Sequence, residues 1–222
     1  MSDGGEAKAY YPVFLDLAAR PAIVIGGGEA AEKRARALLR LGADVVVIAA
    51  DPTPGLLELE ADGGIATEQR GYVRGDLEGA FIAFCLSADE EVRRAVSDEA
   101  EERGCLVNVA GDPELCSFIV PSVVRRGGLQ IAVSTGGASP EVAHRVRRRI
   151  AGEFGEEWGA YVALLAEVRQ LAAERVAAGE YVSGDVFESV ADSDLLERLQ
   201  AGERPSAADV LDSAAGETAS GE

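Results

Sequence analysis

IVIGGGEAA, residues 23–31, joins a short β-branched run to a helical pattern through three consecutive glycines. In such a strand-to-helix turn, Gly26 tolerates the turn dihedrals, Gly28 allows a ligand to approach the backbone, and Ala31 allows the helix to pack on the strand. The exposed N–H groups and the dipole of the helix favour a diphosphate. The pattern therefore predicts a nucleotide-binding loop, with contacts from Gly26, Gly27, Gly28, Glu29, Ala30 and Ala31.

Strand and helix patterns alternate around and after this turn. Strand-like segments at 22–25, 44–49, 79–86 and 105–109 are interspersed with helical segments at 30–41 and 89–103. This order is typical of βαβ units and predicts an α/β fold with a Rossmann-like, doubly wound parallel sheet. Asp51, the first acidic residue after the second strand, is either a ligand of the adenosine ribose or a turn residue before Pro52. These residues leave the choice between NAD and NADP open.

The composition limits the classes of protein to which the chain can belong. Its 222 residues and 47% apolar content suffice for a nucleotide-binding domain and a smaller second domain. A net charge of −18 disfavours nucleic acid as a partner, and the acidic, lysine-poor composition suggests a high-salt cytoplasm. The sequence has no stretch typical of a membrane span or a secretory signal, so a cytoplasmic location without membrane contact is expected.

The charge is unevenly distributed, and a basic cluster lies in the second half. Residues 153–222 contain sixteen acidic residues and four arginines, whereas residues 1–152 contain 23 acidic and 17 basic residues. Ser139, Pro140 and Glu141 form a helix-start pattern, and arginines follow at 145 and 147–149. Guanidinium groups bind carboxylates through paired hydrogen bonds, so the cluster predicts a polyanionic ligand. A solvated helix face that balances nearby acids is the alternative.

Four motifs in order resemble those of the precorrin-2 dehydrogenase family, which includes the N-terminal part of siroheme synthases. They are YPVFLDL at 11–17, GGGEAAEKRARALLRLGADV at 26–45, NVAGDPELCSFIVPS at 108–122 and LQIAVSTGGASP at 129–140, before the arginine-rich helix. The resemblance implies NAD-dependent oxidation of precorrin-2, an octacarboxylate tetrapyrrole, to sirohydrochlorin. Some relatives also insert ferrous iron to give siroheme.

The resemblance also implies a homodimer and a division of the chain into domains. It places an NAD-binding Rossmann-like domain at 1–112, a small α+β dimerisation and substrate domain at 113–150, and a helical domain at 151–205. Residues 206–222 are rich in small and acidic residues and are predicted to form a disordered acidic tail.

The chain departs from the family pattern in one loop. Members commonly carry an aspartate just after the Asn-Val-x stretch, and Gly111 stands at that position here, with Asp112 one residue later. Asp112 is the candidate catalytic residue, because a carboxylate there accepts a proton as the ring system is oxidised. A turn aspartate before Pro113 is the alternative.

The candidates for substrate binding lie in the second half of the chain. They are Ser134, Thr135, Gly136, Arg145 and Arg148. Satisfying backbone groups at the glycine turn is the alternative role of the two hydroxyls. No group of His, Cys and carboxylate residues has metal-site spacing, so any metal is unknown. Two other functions stay open: a non-catalytic nucleotide-sensing module, and a chelatase without dehydrogenase activity.

Overall fold

The computed structural model describes residues 8–180, 182 and 184–219. The chain divides between Val120 and Pro121 into two compact units. Among the described residues, no helix is both long enough and apolar enough to cross a membrane. Residues 220–222, the end of the predicted acidic tail, lie outside the described part.

The first unit is built on a five-stranded parallel sheet. Its strands are β1 (Pro21–Ile25), β2 (Asp44–Ile48), β3 (Ala66–Glu68), β4 (Ile82–Cys85) and β5 (Leu106–Val109). Its helices are α1 (Glu29–Leu39), α2 (Pro54–Ala61) and α3 (Glu90–Arg103). The strand order is β3-β2-β1-β4-β5, with Ile23 of β1 paired to Val46 and Ala83. The order changes direction between β1 and β4, and the predicted Rossmann-like fold is confirmed.

Both faces of the sheet are covered. Val24 packs in the core that includes Ala35 of α1 and Leu56 of α2, whereas Ile23 packs in the core that includes Val96 of α3. Successive side chains of a strand point to opposite faces, which explains why the central strand is apolar throughout. The loops at the strand ends are therefore the parts of this unit where a ligand can reach the sheet.

Residues 69–81, all within the described part, connect β3 to β4 without a helix and are held to α3 by a buried carboxylate. Glu99 of α3 is 1% exposed. Its donors are the hydroxyl of Tyr72, the N–H groups of Gly75 (2.9 Å) and Leu77 (3.3 Å), and Nε of Arg103 (2.6 Å). Burial raises the pKa of Glu99, but these hydrogen bonds outweigh it and lower the pKa below its ordinary value.

The second unit combines a β-hairpin with helices. Its elements are β6 (Ser122–Arg126), β7 (Leu129–Val133), α4 (Pro140–Glu153), α5 (Glu157–Ala177), α6 (Val186–Ala191), α7 (Leu195–Gln200) and α8 (Ala207–Ala219). β6 and β7 are antiparallel. A Cβ built on Gly159 of α5 would lie 3.1 Å from the backbone nitrogen of Gly127 in the hairpin turn. Glycine at 159 therefore lets α5 approach the hairpin closely.

The predicted boundary at residue 150 between a small α+β domain and a helical domain stays a prediction, and the segment at 113–120 groups with the first unit. Residues 113–115 form a short 3-10 helix, and the following residues lie along β5 in the first unit. The N–H of Ser117 donates to the carbonyl of Val107 (2.9 Å), and Nδ2 of Asn108 donates to the carbonyl of Phe118 (3.0 Å). These bonds satisfy polar groups at the edge of the sheet.

Helix α8 corrects the prediction of a disordered tail from residue 206. Val210, Leu211 and Ala214 are buried in one core with residues of α5 and α6. These apolar residues lie on one side of a helix, because residues three and four apart are neighbours there. Their burial stabilises a segment whose small and acidic composition suggests disorder.

Replacing Glu99 with glutamine is expected to lower the free energy of unfolding by about 3 kcal/mol at pH 7, because the four donors lose a charged acceptor. Urea unfolding measures this. Since the pKa of Glu99 is lowered in the fold, its stabilisation is present above the unfolded pKa and is lost as the pH falls through the folded pKa. The difference in unfolding free energy between wild type and variant should therefore shrink when the pH falls below 4.5, the ordinary pKa of a glutamate.

Glu102→Gln is the matched control on the same helix. Glu102 is exposed and pairs with the exposed guanidinium of Arg74, so its loss should change stability much less. Equal losses in the two variants would show that Glu99 does not anchor the connection.

Candidate functional site

The glycine loop lies at the carboxyl end of β1, where other loops meet it. Gly26 has φ +132°, a backbone conformation that residues with side chains rarely adopt. Its N–H donates to the carbonyl of Ile48 at the end of β2 (2.9 Å). The N–H of Leu86, just after β4, donates to the carbonyl of Ile25 (2.8 Å). The loops after β1, β2 and β4 are thus joined at one edge of the sheet.

Gly27 lies against the loop that follows β2. A Cβ built on Gly27 would overlap the carbonyl oxygen of Asp51, and the carbonyl of Gly27 accepts from the N–H of Thr53 (2.9 Å). The structure therefore places Asp51, which is exposed, beside the glycine loop. Its role as a ribose ligand stays a prediction.

The end of helix α1 is open to an anion. Gly28 is the N-cap, no side chain caps the helix, and a Cβ built on Gly28 would meet nothing within 4 Å. Glu29 and Ala30 are exposed in the first turn, whereas Ala31 is buried against the sheet. The first N–H groups of a helix have no partner inside it, so this end fits the diphosphate of a nicotinamide dinucleotide.

A polar network that the sequence analysis missed fixes the loop after β2. Glu32 of α1 accepts from the hydroxyl of Thr53 (2.9 Å) and from Nε of Arg36 (3.0 Å). The hydrogen bond from Arg36, followed by that from Thr53, lowers the pKa of Glu32. Thr53 also caps α2 by accepting from the N–H of Leu56. The i,i+4 spacing of Glu32 and Arg36 was visible in the sequence, but their contact with Thr53 joins distant segments.

The loop after β5 carries the candidate catalytic aspartate. Ala110 donates its N–H to the carbonyl of Cys85 at the end of β4 (2.9 Å), and Gly111 has φ +79°. Asp112 is half-buried, and its side chain does not cap the short helix that follows. Its charge contributes to raising the pKa of Arg94 on α3, for which the hydrogen bond to Glu90 is the main cause. Asp112 thus lies at the same sheet edge as the glycine loop.

In the second unit, the candidate hydroxyls make local hydrogen bonds. Ser134 Oγ accepts from the N–H of Gly136 (3.0 Å). Thr135 Oγ1 accepts from the N–H of Ser139 and donates to its carbonyl, both at 3.0 Å. Ser139 caps α4 through the N–H of Val142, as its helix-start pattern predicts. These bonds favour a structural role for both hydroxyls, and substrate contact stays a prediction.

The arginines of α4 are largely available to a ligand. Arg145 and Arg148 are exposed, and neither makes an ion pair within the described part of the chain, whereas Arg149 pairs with Glu153 (3.7 Å). Nδ1 of His144 lies 3.0 Å from the hydroxyl of Ser122. Across the residues that the structure describes, no three His, Cys, Asp or Glu side chains are placed to hold a metal ion.

An open parallel sheet, a glycine loop at its switch point and an uncapped helix define a dinucleotide-binding protein of the Rossmann class. Residues 13–122 match the family described as "Putative NAD(P)-binding", and residues 126–153 match "Sirohaem biosynthesis protein central". The chain belongs to the precorrin-2 dehydrogenase and siroheme synthase N-terminal domain family, as its motifs implied.

Individual relatives agree with this assignment. The chain is 38% identical to siroheme synthase of Methylobacillus flagellatus over 188 residues, which are 83% of this chain and 40% of that protein. It is 41% identical to siroheme synthase of Azotobacter vinelandii over 64% of this chain and 30% of that protein. The chain thus spans well under half the length of these curated relatives.

A solved structure matches over nearly the whole chain. The structure of "SirC, precorrin-2 dehydrogenase" is 26% identical, with a TM-score of 0.77, and the match covers 92% of this chain and 98% of that one. The likeness therefore extends through both units of the fold.

Alanine at 27 and alanine at 28 are expected to have different effects. Gly27→Ala should disrupt the loop and lower the melting temperature, because its Cβ would overlap the Asp51 carbonyl. Gly28→Ala should fold normally but weaken NAD binding by about tenfold, because its methyl group obstructs the approach of a diphosphate to the backbone. Thermal unfolding and calorimetric titration with NAD distinguish the two effects. Unchanged affinity in Gly28→Ala would show that the nucleotide binds elsewhere.

Proposed function

We propose that this protein oxidises precorrin-2 to sirohydrochlorin with NAD. The observation that carries the proposal is the match to a solved precorrin-2 dehydrogenase over 92% of this chain and 98% of that one. The open end of α1 at the glycine loop supports the same function, since it suits the diphosphate of the hydride acceptor.

The proposed reaction assigns separate roles to the residues at the sheet edge. NAD, when bound, accepts the hydride that the tetrapyrrole loses. Gly26, Gly27 and Gly28 bring the backbone close to the diphosphate, and the N–H groups of Glu29 and Ala30 donate to it. The carboxylate of Asp112 accepts the proton released from the oxidised ring system. Two observations support this role. Asp112 is half-buried just after β5, and its side chain does not cap the short helix that follows.

Asp51 is proposed to select NAD over NADP. Its backbone lies against Gly27, on the β2 side of the glycine loop, and its side chain is exposed. A carboxylate at this place accepts hydrogen bonds from the ribose hydroxyls of NAD and repels the 2′-phosphate of NADP.

The second unit is proposed to bind the carboxylates of the substrate through Arg145 and Arg148, whose guanidinium groups are exposed and have no ion pairs in the described residues. Ser134, Thr135 and Gly136, at the start of the same helix, are the accompanying candidates. The homodimer and the cytoplasmic location expected from the sequence stay predictions. Light scattering after size-exclusion chromatography tests the first, and cell fractionation tests the second.

An anaerobic assay tests the proposed function against its alternatives. The protein is incubated with precorrin-2 and NAD, the absorbance of the product is followed, and ferrous or cobaltous ion is then added. NAD-dependent conversion supports the dehydrogenase. Metal insertion without oxidation would identify a chelatase, and NAD binding without turnover would identify a nucleotide-sensing module.

Asp112→Asn is expected to reduce kcat by about 100-fold or more, because the amide cannot accept the proton at neutral pH. The KM for NAD should change little, and single-turnover absorbance measurements give both quantities. Gly111→Asp is the complementary variant: a Cβ at 111 would meet nothing within 4 Å, and aspartate tolerates a left-handed conformation better than most residues. Added to Asp112→Asn, it should restore part of the rate. Full turnover in Asp112→Asn would exclude Asp112 as the base.

Asp51→Asn is expected to reduce the preference for NAD over NADP by about tenfold, because one charged hydrogen-bond acceptor is lost and the repulsion of a 2′-phosphate disappears. The ratio of kcat/KM for the two cofactors measures this. Asp62→Asn, in the exposed residue that directly follows α2, is the control and should keep the wild-type ratio. A wild-type ratio in both variants would remove Asp51 from the ribose site.

A further inference from the structure

Arg93 on helix α3 has a guanidinium without a partner among the described residues. Its Nε is buried and has no hydrogen bond, and the side chain is only partly exposed. The other arginines of α3 differ, since Arg94 pairs with Glu90 (2.8 Å) and Arg103 with Glu99 (2.6 Å). Buried donors in folded proteins are nearly always satisfied, so an unsatisfied one requires an explanation.

The position of Arg93 is at the sheet edge that carries the candidate site. Arg93 lies one turn into α3, where its N–H donates to the carbonyl of the cap residue Asp89 (3.1 Å). Its charge acts to lower the pKa of the Cys85 thiol, although burial is the larger effect and raises that pKa. The guanidinium is therefore near the carboxyl end of β4, whose last carbonyl binds Ala110 of the loop that carries Asp112.

The strand order separates Arg93 from the adenosine side of the nucleotide. In the order β3-β2-β1-β4-β5, the Asp51 loop follows β2 on one side of the glycine loop. Arg93 and Asp112 follow β4 and β5 on the other side. A dinucleotide whose adenosine ribose is at β2 and whose diphosphate is at β1 directs its reactive end, and the substrate with it, toward β4 and β5.

We propose that Arg93 binds a carboxylate of the tetrapyrrole substrate through its guanidinium, and so contributes to substrate affinity on the same side of the glycine loop as Asp112. This assignment rests on the proposed function. A guanidinium presents parallel N–H groups that match the two oxygens of a carboxylate, and a partly desolvated guanidinium binds it more strongly than an exposed one. The acids on the same turn, Glu90 and Glu91, make no ion pair with Arg93 in the described structure. Glu90 pairs with Arg94 (2.8 Å), and the charge of Arg93 makes only a minor contribution to lowering the pKa of Glu90. The N–H groups of Arg93 are therefore available to the substrate.

The test compares Arg93→Gln, Arg93→Lys and the control Arg74→Gln in the anaerobic assay with precorrin-2 and NAD. Arg93→Gln is expected to raise the KM for precorrin-2 roughly 10- to 100-fold, with kcat changed less and the Kd for NAD unchanged. Arg93→Lys should fall between it and the wild type, because lysine keeps the charge but lacks the planar fork. Arg74→Gln, which removes an exposed ion pair, should keep the wild-type constants.

Other outcomes separate the assignment from the function on which it rests. An increased Kd for NAD with an unchanged KM for precorrin-2 would assign Arg93 to the nucleotide. Unchanged constants in Arg93→Gln would make it a structural arginine, and either result overturns the assignment while the dehydrogenase stands. No turnover by the wild type would overturn the proposed function and the assignment together. If Arg93→Gln has a lowered melting temperature, Arg93→Lys decides the question. A normally folded Arg93→Lys with the wild-type KM for precorrin-2 would show that substrate binding does not need the guanidinium, and would overturn the assignment.

Discussion

The backbone of Gly27 lies so close to the backbone of Asp51 that no side chain fits between them. This approach joins the loop after β1 to the loop after β2, and the bond between the N–H of Leu86 and the carbonyl of Ile25 joins the loop after β4. Parallel strands bring all these loops to one edge of the sheet. The open end of α1, the exposed carboxylate of Asp51 and the half-buried Asp112 are consequently parts of one region, although they are distant in the sequence.

Helix α3 stabilises the first unit in two ways. Its inner residues, such as Val96 and Ala100, pack on the sheet, while Glu99 accepts hydrogen bonds from the connection between β3 and β4. A helix would normally satisfy the backbone of such a crossover from within. Here the carboxylate of Glu99, on a neighbouring helix, accepts hydrogen bonds from part of that backbone. The same helix carries Arg93 in its first turn, so the position of this side chain depends on a well-anchored element.

The sequence was sufficient to predict the sheet and the glycine loop, because their signals are local: β-branched runs, three glycines and helix starts within a few residues of one another. It could not reveal the role of Glu99, whose donors on residues 72–77 are more than twenty positions away. The prediction of a disordered tail was wrong because composition does not show that Val210 and Leu211 face a partner helix. At the site, the position of Asp51 beside the loop is visible only in the fold. The hydroxyls of Ser134 and Thr135 were ambiguous in the sequence, and their local hydrogen bonds favour the structural alternative.

The bond between Thr53 and Glu32 has a consequence for how tightly a nucleotide can bind. Because Glu32 also accepts from Arg36, the side chain that receives the Thr53 hydroxyl is itself held in place on α1. The loop at 51–53 is thus ordered against the glycine loop by contacts within the protein. A flexible loop would lose conformational entropy when a ligand ordered it, and affinity would fall accordingly. In this fold that entropy is lost during folding, so more of the interaction energy with the ribose and diphosphate is expressed as affinity.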